Sequence, residues 1–313
     1  MQEPLNTPTS VVFVTTILLS VAALYYLWQK HAGGQRLLAY EPRKGVPWNL
    51  LAAFLAICLP SVLVLFVLDN DVADLKDLQP ADFIYLGWIQ SLVKLGVVVI
   101  GLACLATFSR ASSQDLGFPE SVSQLIKDSG LGVFACLAAM LPIYMVQFAL
   151  TTIFQSDQQH ELIDQMQSSY SLQMVFVSLG MAVLVAPIYE EFAFRLLFQG
   201  WLEKLEDRLV ESNVLESETA HTSEEESEWI RPQRGMFPEI PHGWAPILIS
   251  GLVFGLVHLG QNFAAPVSLT LFGIVLGYLY QRTHRLLPCI VAHMTFNGFT
   301  MLLLLLQLGR PPV

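Results

Sequence analysis

Eight separated apolar runs, at 11–28, 50–68, 83–108, 131–154, 174–201, 244–259, 264–280 and 287–308, decide what this chain can become. Each approaches the ~20 residues a helix needs to cross the hydrocarbon of a bilayer, although the sixth is short. A backbone inside lipid must satisfy its own hydrogen bonds, so runs of this kind fold as helices. The expected fold is all-α, a polytopic membrane helix bundle of about eight transmembrane helices. Composition agrees: 54% of residues are hydrophobic and 13% are charged, against ~25% charged in soluble domains. The first run has nothing basic before it and no small-residue cleavage site before Lys30, so it reads as a membrane helix and not as a cleavable signal.

The cations orient the bundle. With the N-terminus outside, the inner loops hold twelve: Lys30, Arg36, Arg43, Lys44, Arg110, Lys127, Lys204, Arg208, Arg231, Arg234, Arg282 and Arg285. The outer segments hold two, Lys76 and Arg310, and Lys94 and Arg195 lie inside helices. This asymmetry follows the positive-inside rule and expects both termini outside, in a multi-pass protein of the plasma membrane. The net charge of −10 comes largely from 203–242, which carries eleven acids and is expected to be a flexible cytoplasmic loop. The segment 110–129 is weakly amphipathic and expected at the inner interface. Two domains are expected: residues 1–173, with four spans, and a catalytic membrane core at 174–313.

Several function classes drop out. No basic patch with interleaved aromatics supports nucleic-acid binding. Cys58, Cys104, Cys136 and Cys289 all lie in apolar runs without paired metal spacing, and read as small core residues. His160-Glu161 opens like a zinc-protease helix, but Asp164 stands where the second histidine belongs. Gly-x-Ser-Gly, Gly-x-Gly-Asp and His-Glu-x-x-His signatures do not occur.

What remains is polar chemistry at membrane depth. In the fifth run, Glu190, Glu191 and Arg195 interrupt apolar sequence, where each charge costs about 2.5–3.5 kcal/mol on insertion scales. Glu191 and Arg195 are four apart and share a helix face, while Glu190 is turned about 100° away. Phe254 and His258 share a face in the sixth run, and His293 and Asn297 in the eighth. A carboxylate, two imidazoles and an amide in one bundle make a general base, a partner for water and donors for an oxyanion. An interhelical ion pair that only orients helices is the bland alternative for the first set, and satisfied interhelical hydrogen bonds for the others.

In order, Glu-Glu-x-x-x-Arg, Phe-x-x-x-His and His-x-x-x-Asn resemble the pattern of the type II CAAX prenyl endopeptidases, also called CAAX protease and bacteriocin-processing intramembrane proteases. The resemblance covers residues 174–308, and the acidic insertion after the first motif departs from it. It implies an intramembrane endopeptidase acting on membrane-associated protein or peptide substrates, CAAX-like and lipidated among them, within the lipid bilayer. It implies Glu190 as the base that activates water with His258. His293 and Asn297 would hold the oxyanion, with Glu191, Arg195 and Phe254 in support. No cofactor is favoured, because Asn297 is a better oxyanion donor than metal ligand; a zinc site of Glu190, His258 and His293 is the alternative. A non-catalytic scaffold or immunity protein that retains these residues is the competing reading. A transporter would need broken helices in two symmetric halves, and these motifs fall in the second half alone.

Overall fold

The computed structural model describes residues 7–67, 80–154, 171–218, 235–237, 239–259 and 264–308. Eight helical rods cover them, and no strand occurs among the described residues. They are α1 (Thr7–Ala32), α2 (Leu50–Val67), α3 (Pro80–Phe108), α4 (Val122–Phe154), α5 (172–218), α6 (Trp244–Leu256), α7 (Ala264–Thr283) and α8 (Leu286–Leu308). Six are long and apolar enough to cross a membrane. The chain is an all-α, multi-pass integral membrane protein. Of the outer loops expected at 69–82 and 155–173, residues 69–79 and 155–170, with His160 and Glu161, lie outside the described residues, as do Arg231 and Arg234.

The two rods not among those six are α2 and α6, of which α6 is the shorter. Its 13 residues make a rod of about 20 Å, short of the ~30 Å hydrocarbon core. It is held by close packing on α7. A Cβ on Gly251 would stand 2.9 Å from the Ile274 backbone nitrogen and 3.2 Å from the Gly273 carbonyl carbon, so the two backbones touch where no side chain intervenes. α4 meets α8 in the same way at Gly132, whose missing side chain leaves room for the Pro288–Ala292 backbone.

α4 begins at Val122, so part of the expected interfacial segment is its first turns. The reason is Asp128. It is 1% exposed, and its carboxylate accepts from Arg285 Nε at 2.8 Å, which lets the helix run inward past the apolar stretch. Arg285 also pairs with Glu41. Burial works against its charge, but the two carboxylates outweigh that and hold its pKa above the ordinary arginine value.

Arg285 belongs to a belt of polar contacts at one end of the bundle. Arg43 donates to the Tyr280 hydroxyl at 2.8 Å, and pairs with Glu203 at 3.5 Å. His284 donates through Nδ1 to the Glu41 carbonyl at 2.7 Å, with Nε2 3.3 Å from Glu203. Lys204 donates to the Trp48 carbonyl at 2.9 Å, and the Leu286 N–H to the Gly117 carbonyl at 3.1 Å. The segments at 33–49 and 109–121, the end of α5 and the α7–α8 turn thus lie together. They are the segments that carry most of the cations used to orient the sequence.

The acidic stretch is not all loop. α5 continues as helix through Glu218, because Glu, Lys, Leu and Arg are strong helix formers. Glu206 in this part is 1% exposed, and its carboxylate accepts the N–H groups of Met236 and Gly243. Of the cysteines, Cys136 and Cys289 are buried and Cys58 half-buried, but Cys104 is exposed on the outer face of α3.

Candidate active site

α5 is the helix on which the site is built, and it is not a regular one. Gly180–Val185 and Glu191–Gln199 are wound as π-helix, with α-helix on either side and between. The Ala186 N–H donates to Met181 five residues back, and the Gly200 N–H reaches Arg195 at the same spacing. π-Helix is rare and, where it occurs, frequently marks a functional site; here two segments occur in one membrane helix, bracketing Glu190. Their wider winding re-aims the side chains that follow.

Glu191 and Arg195 both point into the core, each with its side chain fully buried. Arg195 Nε donates to Glu191 Oε2 at 3.0 Å, and Nη1 to Ser250 Oγ at 2.8 Å. The Ser250 hydroxyl donates on to the Phe194 carbonyl at 3.2 Å. The other oxygen of Glu191 accepts from His293 Nδ1 at 2.8 Å. This carboxylate is therefore held from two sides, by a cation on its own helix and by an imidazole from α8.

Glu190 faces the other way. Its side chain keeps 15% exposure and that of His258 17%, whereas Glu191 has none. Glu190 Oε2 lies 3.9 Å from His258 Nε2 and 3.8 Å from His293 Nε2. His258 sits in the turn just after α6 and donates from Nδ1 to the Phe254 carbonyl at 2.7 Å. With that nitrogen committed as donor, Nε2 is the ring nitrogen turned toward Glu190.

Phe254 is the hub of the packing. It is fully buried, with the Arg195 guanidinium 5.2 Å over its ring, His258 at 5.0 Å and His293 edge-on at 5.6 Å. Phe272 closes the far side, 5.6 Å from His293 and stacked at 4.4 Å on Phe296. Asn297 is placed one turn beyond His293. It is half-buried, and its amide donates to the Ala182 carbonyl in the first π-segment at 2.8 Å.

Glu190, Glu191, Arg195, Phe254, His258 and His293 therefore meet in one cluster, with Asn297 at its edge against α5. Ser250 was not singled out from sequence. A signal existed: it stands four residues before Phe254 and eight before His258, on the same helix face. Phe272 carried no signal beyond apolarity.

A metal fits poorly as the groups stand. Zinc with donors at 2.0–2.1 Å needs them about 3.3 Å apart in a tetrahedron; the carboxylate–imidazole gaps here are 3.8 and 3.9 Å. Among the described residues no group of three or more His, Cys, Asp or Glu side chains is set to hold a metal ion.

Comparison with curated proteins and with solved structures finds no match. Comparison with family models finds one, described as type II CAAX prenyl endopeptidase Rce1-like, over residues 172–299. The match leaves α1–α4 outside it and takes in every side chain of the cluster. Residues 172–299 are thus similar to the Rce1-like type II CAAX prenyl endopeptidases, within a multi-pass membrane protein.

Proposed function

We propose that the cluster hydrolyses peptide bonds of membrane-associated substrates, CAAX-like lipidated chains among them, with water activated by Glu190 and His258 and without a metal. The observation that carries this is one carboxylate oxygen, Glu190 Oε2, facing two imidazoles delivered by α6 and α8. A water that donates one hydrogen to Glu190 and one to His258 Nε2 presents its lone pair to a substrate carbonyl. On attack Glu190 takes the proton, a C–O bond forms, and negative charge gathers on the carbonyl oxygen. His293 Nε2–H and an N–H of Asn297 are the donors for that oxygen. For this His293 carries protons on both ring nitrogens, one for Glu191 and one for the oxyanion. Glu190 then passes its proton to the departing nitrogen as the C–N bond breaks.

Glu191 and Arg195 act by positioning. Their pair fixes His293, and Phe254 fixes the rings around it. The belt at the Arg43–Arg285 end faces the cytoplasm of the plasma membrane in this reading, and residues 1–173 serve as a supporting domain for the core at 174–313.

The test is a quenched-fluorescence prenylated CAAX peptide offered to the purified, reconstituted protein. Wild type cleaves it, and Glu190→Gln binds without turnover because an amide keeps the volume but takes no proton. Full turnover by a well-folded Glu190→Gln protein would return the cluster to a scaffold.

A further inference from the structure

Lys94 is a cation in the middle of α3 that the chemistry above leaves unused. It lies midway between Pro80 and Phe108, about 20 Å of helix from either end, farther than a lysine stem can snorkel to water. Arg195, the other cation set deep in a span, has Glu191 at 3.0 Å. Lys94 forms no ion pair with any carboxylate among the described residues; its Nζ rests 5.6 Å from the centre of the Tyr189 ring. That ring is fixed, since the Tyr189 hydroxyl donates to the Ala56 carbonyl of α2 at 2.8 Å.

The depth of Lys94 is set by packing. Gly87 faces Val177 and Met181, Lys94 faces Tyr189, and Gly101 faces Phe192. The contacts advance together, so α3 and α5 run parallel and Lys94 is level with Tyr189 and Glu190. A cation held at the depth of the reacting carboxylate, with an aromatic face and no anion, is a site waiting for one.

We propose that Lys94 binds the C-terminal carboxylate of the substrate's leaving peptide, making a free carboxy terminus part of the specificity. This rests on the peptidase reading above. A CAAX motif ends the chain, so a cut after its lipidated cysteine would release three residues that carry the terminal carboxylate. Three extended residues reach about 10 Å. Tyr189 and Glu190 are neighbours about 100° apart on α5, so the way from one face to the other is within one helix diameter of about 10–12 Å. Lys94 is thus one leaving peptide away from the water-activating carboxylate.

The experiment uses the full chain in phosphatidylcholine vesicles and two prenylated peptides that differ only in ending as acid or amide. Wild type is expected to prefer the acid by about 10- to 100-fold in kcat/KM, mainly through KM, as suits a hydrogen bond between charged groups. Lys94→Gln is expected to bring the acid down to the amide's level, and Lys94→Arg to keep the preference. A structural Lys94 would lower both peptides alike and leave their ratio intact, which overturns the proposal. So would a wild type that cleaves acid and amide equally. If adding anionic phosphatidylglycerol erased the preference, Lys94 would belong to a lipid phosphate instead. Cleavage of neither peptide by wild type, at the level of Glu190→Gln, removes the peptidase reading itself.

Discussion

Asn297 hydrogen-bonds the one carbonyl in α5 that Pro187 leaves without a backbone donor. In the π-register the Ala186 N–H reaches Met181, and the next bond in the series would run from residue 187 to Ala182. Residue 187 is proline and has no N–H. The Asn297 amide supplies the missing donor at 2.8 Å. One N–H is spent on this, and an amide carries two. The contact ties α8 to the helix bearing Glu190 and leaves a second N–H for the oxyanion role proposed above.

Two effects of losing Asn297 can therefore be separated. Asn297→Ala should cut kcat by about 10²–10³ with little change in KM, because the hydrogen bond strengthens in the transition state. It should also cost folded protein about 0.6 kcal/mol, the average for an interhelical hydrogen bond in a membrane. Adding Pro187→Ala gives Ala182 a backbone donor again. The double variant should recover thermal stability and remain slow; recovery of kcat as well would reduce Asn297 to a structural tie.

Arg195→Ala should severely destabilise the folded protein. It strands the fully buried Glu191 carboxylate, which costs about 3–5 kcal/mol when one partner of a buried pair is removed. Ser250→Ala keeps the ion pair and should cost nearer 1 kcal/mol. Unfolding curves in detergent check the order; equal losses would mean that Glu191 is sustained by His293 alone.

Chelation should leave turnover unchanged. Activity that vanishes with o-phenanthroline and returns with zinc would show that the 3.8 and 3.9 Å gaps around Glu190 close on an ion.

Sidedness is open to labelling. In a cysteine-free background, Lys44→Cys and Ser113→Cys lie in exposed segments at the belt end. Both should react with an impermeant maleimide in inside-out vesicles and stay unlabelled on intact cells. Labelling on opposite sides would break the eight-span arrangement.

The helical architecture was legible because apolar runs near 20 residues leave a membrane chain few alternatives. Even so, α4 starts nine residues earlier than hydropathy places it, since Asp128 looks like an interfacial charge until Arg285 is seen beside it. The Glu191–Arg195 contact follows from i, i+4 spacing. The partners that come from other helices do not. That His293 addresses both glutamates, through opposite ring nitrogens, depends on how α8 is rotated against α5. The π-winding has no periodicity signal, because apolar residues surround α5 there and hide any phase shift. Pro187 was the only visible hint, and its consequence needed Asn297 in place.

The shortness of α6 has a consequence for the lipid. His258 follows immediately on a rod of 13 residues, so the bilayer beside it faces a hydrophobic mismatch of about 10 Å. Leaflets relieve such a mismatch by thinning, which brings headgroups and their water inward beside this helix. A hydrolase inside a membrane must obtain one water per turnover. In the reaction proposed above His258 receives that water, so the missing turns of α6 would bring the solvent boundary toward it, and the rate is expected to vary with acyl-chain length.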